Sequence, residues 1–184
     1  MKGNGMLETE NTLLLVIDIQ GNLYLSMNNR EALLLNLTRM IQGAGIFGLP
    51  VIVTEQTPEK LGPTIPEIAG LFESFDPVAK SAFSCCSDGG FMKRLDSLGR
   101  KQILLTGIES HICVYQTALD LLRRGYEVQV VEDCVSSRTP ENRRIGIEKA
   151  IAAGALRSSV EMALFELVRV GEGDRFRRMV RLVK

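Results

Sequence analysis

Hydrophobic residues in this chain gather into short unbroken runs, separated by longer stretches with helical spacing. Leu-Leu-Leu-Val-Ile at 13–17 is the first run, and it stops at Asp18. A strand with one face in water alternates apolar and polar residues; an unbroken run predicts a strand covered on both faces. Over 30–46, Leu33, Leu34, Leu37, Met40 and Ile41 recur at helical spacing, and Gly43, Gly45 and Gly48 close the pattern. Val51-Ile52-Val53 is a second run, ending at Thr54-Glu55-Gln56. Residues 57–66 carry three prolines and a glycine and read as a loop, with a short helix over 65–72. Residues 78–83 read as a third strand with Lys80 near its end, and 91–98 as a helix stopped by Gly99.

Ile103-Leu104-Leu105 is the next run, ending at Thr106-Gly107 and feeding a helix over 112–122 that Gly125 stops. Residues 126–131 predict a fifth strand, ending at Glu132-Asp133-Cys134. Thr139 as N-cap and Pro140 at the first helical position open a helix running to about residue 153. A short strand over 156–160 and a helix over 161–170 follow, and 175–184 reads as a basic amphipathic helix. Strand and helix alternate from end to end with no linker-like shift in composition. That predicts one three-layer α/β domain over residues 1–184 with a mostly parallel sheet. Residues 1–10, polar and glycine-containing, are expected to be flexible.

Charge removes two classes of partner. There are 22 basic and 22 acidic residues. With no net charge, nothing points to nucleic acid or to a membrane surface, which leaves a small molecule as the expected partner. The longest apolar runs are too short to span a bilayer, and no basic-then-apolar leader is visible. Four cysteines in 184 residues are too few for a disulfide scaffold. A reducing compartment, and so a cytoplasmic protein, is expected.

Candidate chemistry sits at strand ends, where parallel α/β sheets bind ligands. Asp18, Lys80 and Cys113 each follow or close an apolar run. Each has a plainer reading alone: a turn or cap for Asp18, a solvated side chain for Lys80, a packed thiol for Cys113. Together they form a base, a cation and a nucleophile. Cys113, early in a helix and near Lys80, is expected to have a lowered pKa, opposed by Asp18. His111 lies two residues before Cys113 and cannot face it on one helix, so a structural role is favoured. No G-x-G-x-x-G follows the first strand, which argues against a dinucleotide, and no cofactor is expected.

LLLVIDIQ at 13–20, AKSAFSCC at 79–86 and LLTGIESHICVYQTALDLLRRGYEV at 104–128 resemble the signature blocks of the isochorismatase-like cysteine hydrolases. The resemblance covers roughly residues 12–170, and VTEQTPEKLGPTIPEI at 53–68 is similar to the isochorismatase-domain-containing subgroup. It implies a Rossmann-like α/β/α sandwich with a six-stranded, mostly parallel sheet, and a catalytic triad of Asp18, Lys80 and Cys113. It implies a cis peptide between Ile108 and Glu109, with the N–H groups of Glu109 and Cys113 as oxyanion donors. It implies a homo-oligomer, for which the basic tail offers a surface. Gln20, Leu23, Gln56, Leu61, Phe83, Glu109 and Ile112 are the candidate substrate-binding residues at the same rim.

The chain departs from two branches of that family. Glu55-Gln56-Thr57 stands where the nicotinamidases carry a metal-binding Asp-x-His, and His111 is the single histidine, so no metal is expected. Cys113 is present where siderophore-pathway isochorismatases lack the cysteine. The expected function is therefore hydrolysis of a small amide or related C–N bond through a thioester acyl-enzyme. Two alternatives stay open: a binding or scaffold protein that retains the pocket, and an enol-ether hydrolase that uses Asp18 without covalent catalysis.

Overall fold

The computed structural model describes residues 6–184. Six strands alternate with helices: β1 (Thr12–Ile17), α1 (Gly21–Leu25), α2 (Arg30–Phe47), β2 (Val51–Gln56), α3 (Pro58–Leu61), α4 (Pro66–Ala69) and β3 (Val78–Lys80) in the first half. The second half holds α5 (Gly89–Ser97), β4 (Gln102–Ile108), α6 (Tyr115–Arg123), β5 (Glu127–Ser136), α7 (Pro140–Ala152), β6 (Leu156–Ser158), α8 (Val160–Val168) and α9 (Gly173–Val183). The strands form one sheet in the order β3-β2-β1-β4-β5-β6, and every pairing between them is parallel.

β1 is buried at all six positions, as its unbroken apolar run requires. Leu14 and Val16 face the layer of α2, α8 and α9; Leu13, Leu15 and Ile17 face that of α5, α6 and α7. The strand order places the active end. The chain runs outward from β1 to β3, then returns to lay β4 against the other side of β1. The connections leave β1 and β4 in opposite directions, which opens a crevice beyond their carboxyl ends. Ile17 pairs with Gly107 at that end. Gly107 has φ 113°, and a Cβ there would lie 2.2 Å from the carbonyl oxygen of Ile17, so this close approach needs glycine.

Several boundaries differ from the sequence expectation, each for a local reason. β5 continues through Glu132 and Asp133 to Ser136. Both carboxylates have partners, Glu132 with Arg143 and Arg157, and Asp133 with the Val160 N–H at the start of α8. β3 stops at Lys80, and the carbonyls of Ala82 and Phe83 turn back toward its ammonium. β6 stops at Ser158 because Ser159 caps α8, accepting the Met162 N–H. The loop after β2 carries the short helix α3.

The expected flexible segment 1–10 divides: residues 1–5 lie outside the described residues, while 6–10 pack onto the body. Leu7 is buried and its N–H donates to the Glu166 carboxylate; the Glu8 N–H donates to Gln102 Oε1. In α9, Met179 is buried against the core of α2 and α8, with Phe176, Val180 and Leu182 packed beside it. Its apolar face therefore covers this chain's own core, and only its basic face remains outward. Among the described residues no helix is long and apolar enough to cross a membrane.

Candidate active site

Asp18 is the first residue beyond β1. It holds a left-handed backbone, φ 56°, and its N–H donates to the Thr54 carbonyl. Both carboxylate oxygens accept from fixed donors: Oδ1 from Thr54 Oγ1 at 2.7 Å and Oδ2 from Lys80 Nζ at 2.8 Å. Both side chains of the Asp18–Lys80 pair are fully buried. Lys80 Nζ also donates to Gln56 Oε1 at 2.8 Å and reaches the carbonyls of Ala82 and Phe83. Burial, the largest single influence, pulls the ammonium pKa down, but the charge and hydrogen bond of Asp18 together with the nearby Cys85 and Cys113 outweigh it, and the net shift is upward. Lys80 thus stays charged and cannot leave its place. Thr54 is the residue that sequence reasoning missed. Its one signal is its place at the end of the second apolar run, and its pairing with Ile17 appears only in the strand register.

Cys113 lies in a π turn, Ser110–Val114, between the cis peptide Ile108–Glu109 and α6. The turn is tied down on several sides. The Glu109 carbonyl accepts from the N–H groups of Ile112 and Val114. Ser110 Oγ donates to the Ser136 carbonyl, and Ser137 Oγ donates to Ser110 Oγ. His111 Nδ1 meets Ser137 Oγ at 3.0 Å, which gives the histidine a positioning role. α7 presses on the turn through Gly146, where a Cβ would sit 2.5 Å from the Ser110 carbonyl carbon.

The thiol differs from the sequence expectation. Its pKa is raised, not lowered. Burial is the main cause and the Asp18 carboxylate adds to it, while Lys80 opposes both too weakly. The π turn runs without a break into α6, so Cys113 does sit in the first turn of a helix, as the sequence suggested. Cys113 is nevertheless a protonated thiol at rest, bordering the same cavity as the Asp18 carboxylate that can take its proton.

Asp18 and Cys113 border a cavity of about 120 Å³, together with Leu23, Gln56, Leu61, Phe83, Glu109 and Ile112. Lys80 stands behind Asp18, outside the lining. Gln20 does not reach the cavity, contrary to expectation. Its side chain is buried, with Oε1 accepting the Gln56 N–H at 2.6 Å and Nε2 donating to the carbonyls of Gln56 and Gly62. It fastens the end of β2 to the following loop. The other polar side chains of the lining are also engaged. Gln56 accepts from Lys80 and donates to the Ser81 carbonyl; Glu109 Oε2 accepts from Arg138 Nε at 3.1 Å. A larger hollow of about 260 Å³ lies by Asn28, Asn36, Asp133 and Arg143, but it contains no thiol, and its one hydroxyl, Ser136 Oγ, donates to the Asn28 carbonyl.

The residues in the nicotinamidase metal region do not fit a metal. Glu55 accepts the Thr64 N–H, Gln56 is held by Lys80, and His111 faces Ser137. Among the described residues no three His, Cys, Asp or Glu side chains gather as a ligand set.

Buried thiols give the fold a pH signature. Burial raises Cys86 to about 11 and Cys85 to about 12 from an ordinary 9.0, and Cys113 and Cys134 are raised too. Above pH 9 the unfolded chain releases protons that the folded chain keeps, so stability falls as pH rises, by about 1.4 kcal/mol per pH unit for each such thiol. The urea midpoint should drop steeply between pH 9 and 11, and less steeply in Cys134→Ala. Equal slopes for the two proteins would contradict the assignment.

A family model described as Isochorismatase domain matches residues 12–162. Isochorismatase domain-containing protein 2 of Danio rerio is 34% identical over 184 residues, which is 100% of this chain and 92% of that protein. Among solved structures, a MAR1 ribonuclease from Caenorhabditis elegans is 32% identical, with a TM-score of 0.90 over 97% of this chain and 92% of its own. The YcaC gene product of Escherichia coli, described as an octameric hydrolase of unknown specificity, superposes with a TM-score of 0.92. That match covers 99% of this chain and 92% of its own, and at 22% identity it speaks for the fold alone.

Proposed function

The chain belongs to the isochorismatase-domain family, a family of hydrolases, and from that premise we propose that it is a cysteine hydrolase of small amides or related C–N bonds. The observation that carries the proposal is the buried Asp18–Lys80 pair and a protonated Cys113 brought to one cavity. Asp18 takes the thiol proton as sulfur bonds to the amide carbon. The N–H groups of Glu109 and Cys113 are the proposed donors to the resulting oxyanion. The proton then passes from Asp18 to the amide nitrogen, the C–N bond breaks, and ammonia or an amine leaves a thioester on Cys113. Water attacks the thioester with Asp18 accepting its proton. The carboxylic acid departs and the thiol recovers its proton. Lys80 keeps its proton throughout and holds Asp18 in place.

Enol-ether hydrolysis by Asp18 alone needs an acid at the outset. Here both Asp18 oxygens accept hydrogen bonds, which favours a base. A ribonuclease reading needs a basic, open surface, whereas Leu61 and Phe83 border this cavity. Ammonia release from primary amides tests the proposal. Cys113→Ala and Asp18→Asn should each lose at least a thousandfold in kcat/KM. Activity kept in Cys113→Ala but lost in Asp18→Asn would establish the non-covalent alternative, and binding without turnover of any panel member would establish the scaffold. We further propose a homo-oligomer in the cytoplasm. Its contact is not the apolar face of α9, which this chain covers itself. Light scattering at micromolar concentration should give more than the 20.3 kDa of one chain.

A further inference from the structure

The cavity's charge and size define what it accepts. The two cations bonded to its lining are held there: Lys80 by Asp18 and Gln56, and Arg138 through its Nε by the Glu109 carboxylate. Neither cation is part of the lining. The charged groups that face the interior are the carboxylates Asp18 and Glu109, each neutralised from behind. An incoming anion would meet two carboxylates and no cation in the lining. An incoming cation would have to compete with Lys80 or Arg138 for groups they already hold.

The remaining walls are Leu23, Leu61, Phe83 and Ile112, and the Gln56 amide is bonded at both ends. Phe83 is 55% exposed, an apolar ring at the mouth with a face still open to a ligand. A carboxylate moved into such surroundings loses its water and gains no partner, whereas a short alkyl chain gains by leaving water. The volume, about 120 Å³, is somewhat less than the roughly 150 Å³ of an apolar cavity that holds a benzene ring.

We propose that the site selects uncharged amides whose acyl group is a short alkyl chain or small ring, and rejects substrates bearing a carboxylate. This rests on the amidase reading above and narrows it to one substrate class. The experiment compares pentanamide with its anionic analogue succinamate and its cationic analogue 4-aminobutanamide. Ammonia release is followed in the wild-type protein, and ligand-observed NMR measures binding to Cys113→Ala. Pentanamide should exceed each charged analogue at least tenfold in kcat/KM and bind at least tenfold more tightly. Equal or better use of succinamate or 4-aminobutanamide overturns the proposal.

If no amide is hydrolysed, the catalytic reading fails, and selectivity is then decided by binding alone. Tighter binding of pentanamide supports it; no preference, no binding, or a preference for a charged analogue overturns it. Leu61→Arg, at a half-exposed position of the rim, supplies the missing cation. It should shift the succinamate-to-pentanamide ratio toward succinamate by at least tenfold, in turnover or in binding. An unchanged ratio in that variant also counts against the proposal.

Discussion

Lys80→Met is expected to destabilise the fold by about 3–5 kcal/mol, because it leaves the buried Asp18 carboxylate without its counter-charge. The same change strands the acceptors Gln56 Oε1 and the carbonyls of Ala82 and Phe83, which share the ammonium. Each acceptor left buried without a donor adds to the loss. The double variant Asp18→Asn/Lys80→Met should be less damaged than the sum of the two single variants by about 1–3 kcal/mol, since neither partner is then left charged and alone. Chemical denaturation at neutral pH measures both quantities. The thiol responds as well. Lys80 is the main influence lowering the Cys113 pKa, so its loss should push the thiol further up and slow iodoacetamide alkylation. A single variant that costs less than about 1 kcal/mol would mean that the pair is not the buried, mutually dependent unit described above.

Gly146→Ala should reduce kcat by about a hundredfold while the protein stays folded. The added methyl would lie 2.5 Å from the Ser110 carbonyl group and 2.6 Å from the His111 nitrogen, all backbone atoms of the turn that carries Cys113. No rotamer change relieves a backbone clash, so α7 and the turn must separate. A displacement near 1 Å at a reacting group is worth about a hundredfold in rate, and overpacking of this kind costs about 1–3 kcal/mol in stability. The diagnostic is the split between kcat and KM. The cavity walls Leu23, Leu61 and Phe83 belong to other elements, so KM should change far less than kcat. An equal rise in KM would indicate general loosening.

The α/β layering was legible along the chain because a doubly covered parallel strand carries an unbroken apolar run rather than an alternating one. β1, buried throughout, is the clearest case. Asp18, Lys80 and Cys113 could be singled out because such sheets place chemistry at strand ends, and the structure brings Asp18 and Lys80 into contact and Cys113 beside them. Features that depend on pairings distant in sequence were not legible. Thr54 reaches Asp18 through the β1–β2 register, and Gly146 touches the Cys113 turn from a helix over 30 residues away. Gln20 has the residue type of a pocket group, but hydrogen bonds to the end of β2 and the following loop fix it outside the cavity. The direction of the Cys113 shift required knowing its burial, and the π turn that carries the sulfur into α6 leaves no periodic signal.

The central claim is that Cys113 attacks the substrate with Asp18 as its base, and covalent trapping tests it most directly. Wild-type protein is mixed with excess pentanamide, quenched in acid within milliseconds to seconds, digested and mapped by mass spectrometry. The account predicts a pentanoyl group on the peptide containing Cys113, absent in Cys113→Ala and lost on treatment with hydroxylamine, as a thioester should be. It also predicts no such adduct in Asp18→Asn within the same interval. Steady ammonia release with no adduct on Cys113 at any quench time, or an adduct on Cys85, Cys86 or Cys134 in its place, would contradict it.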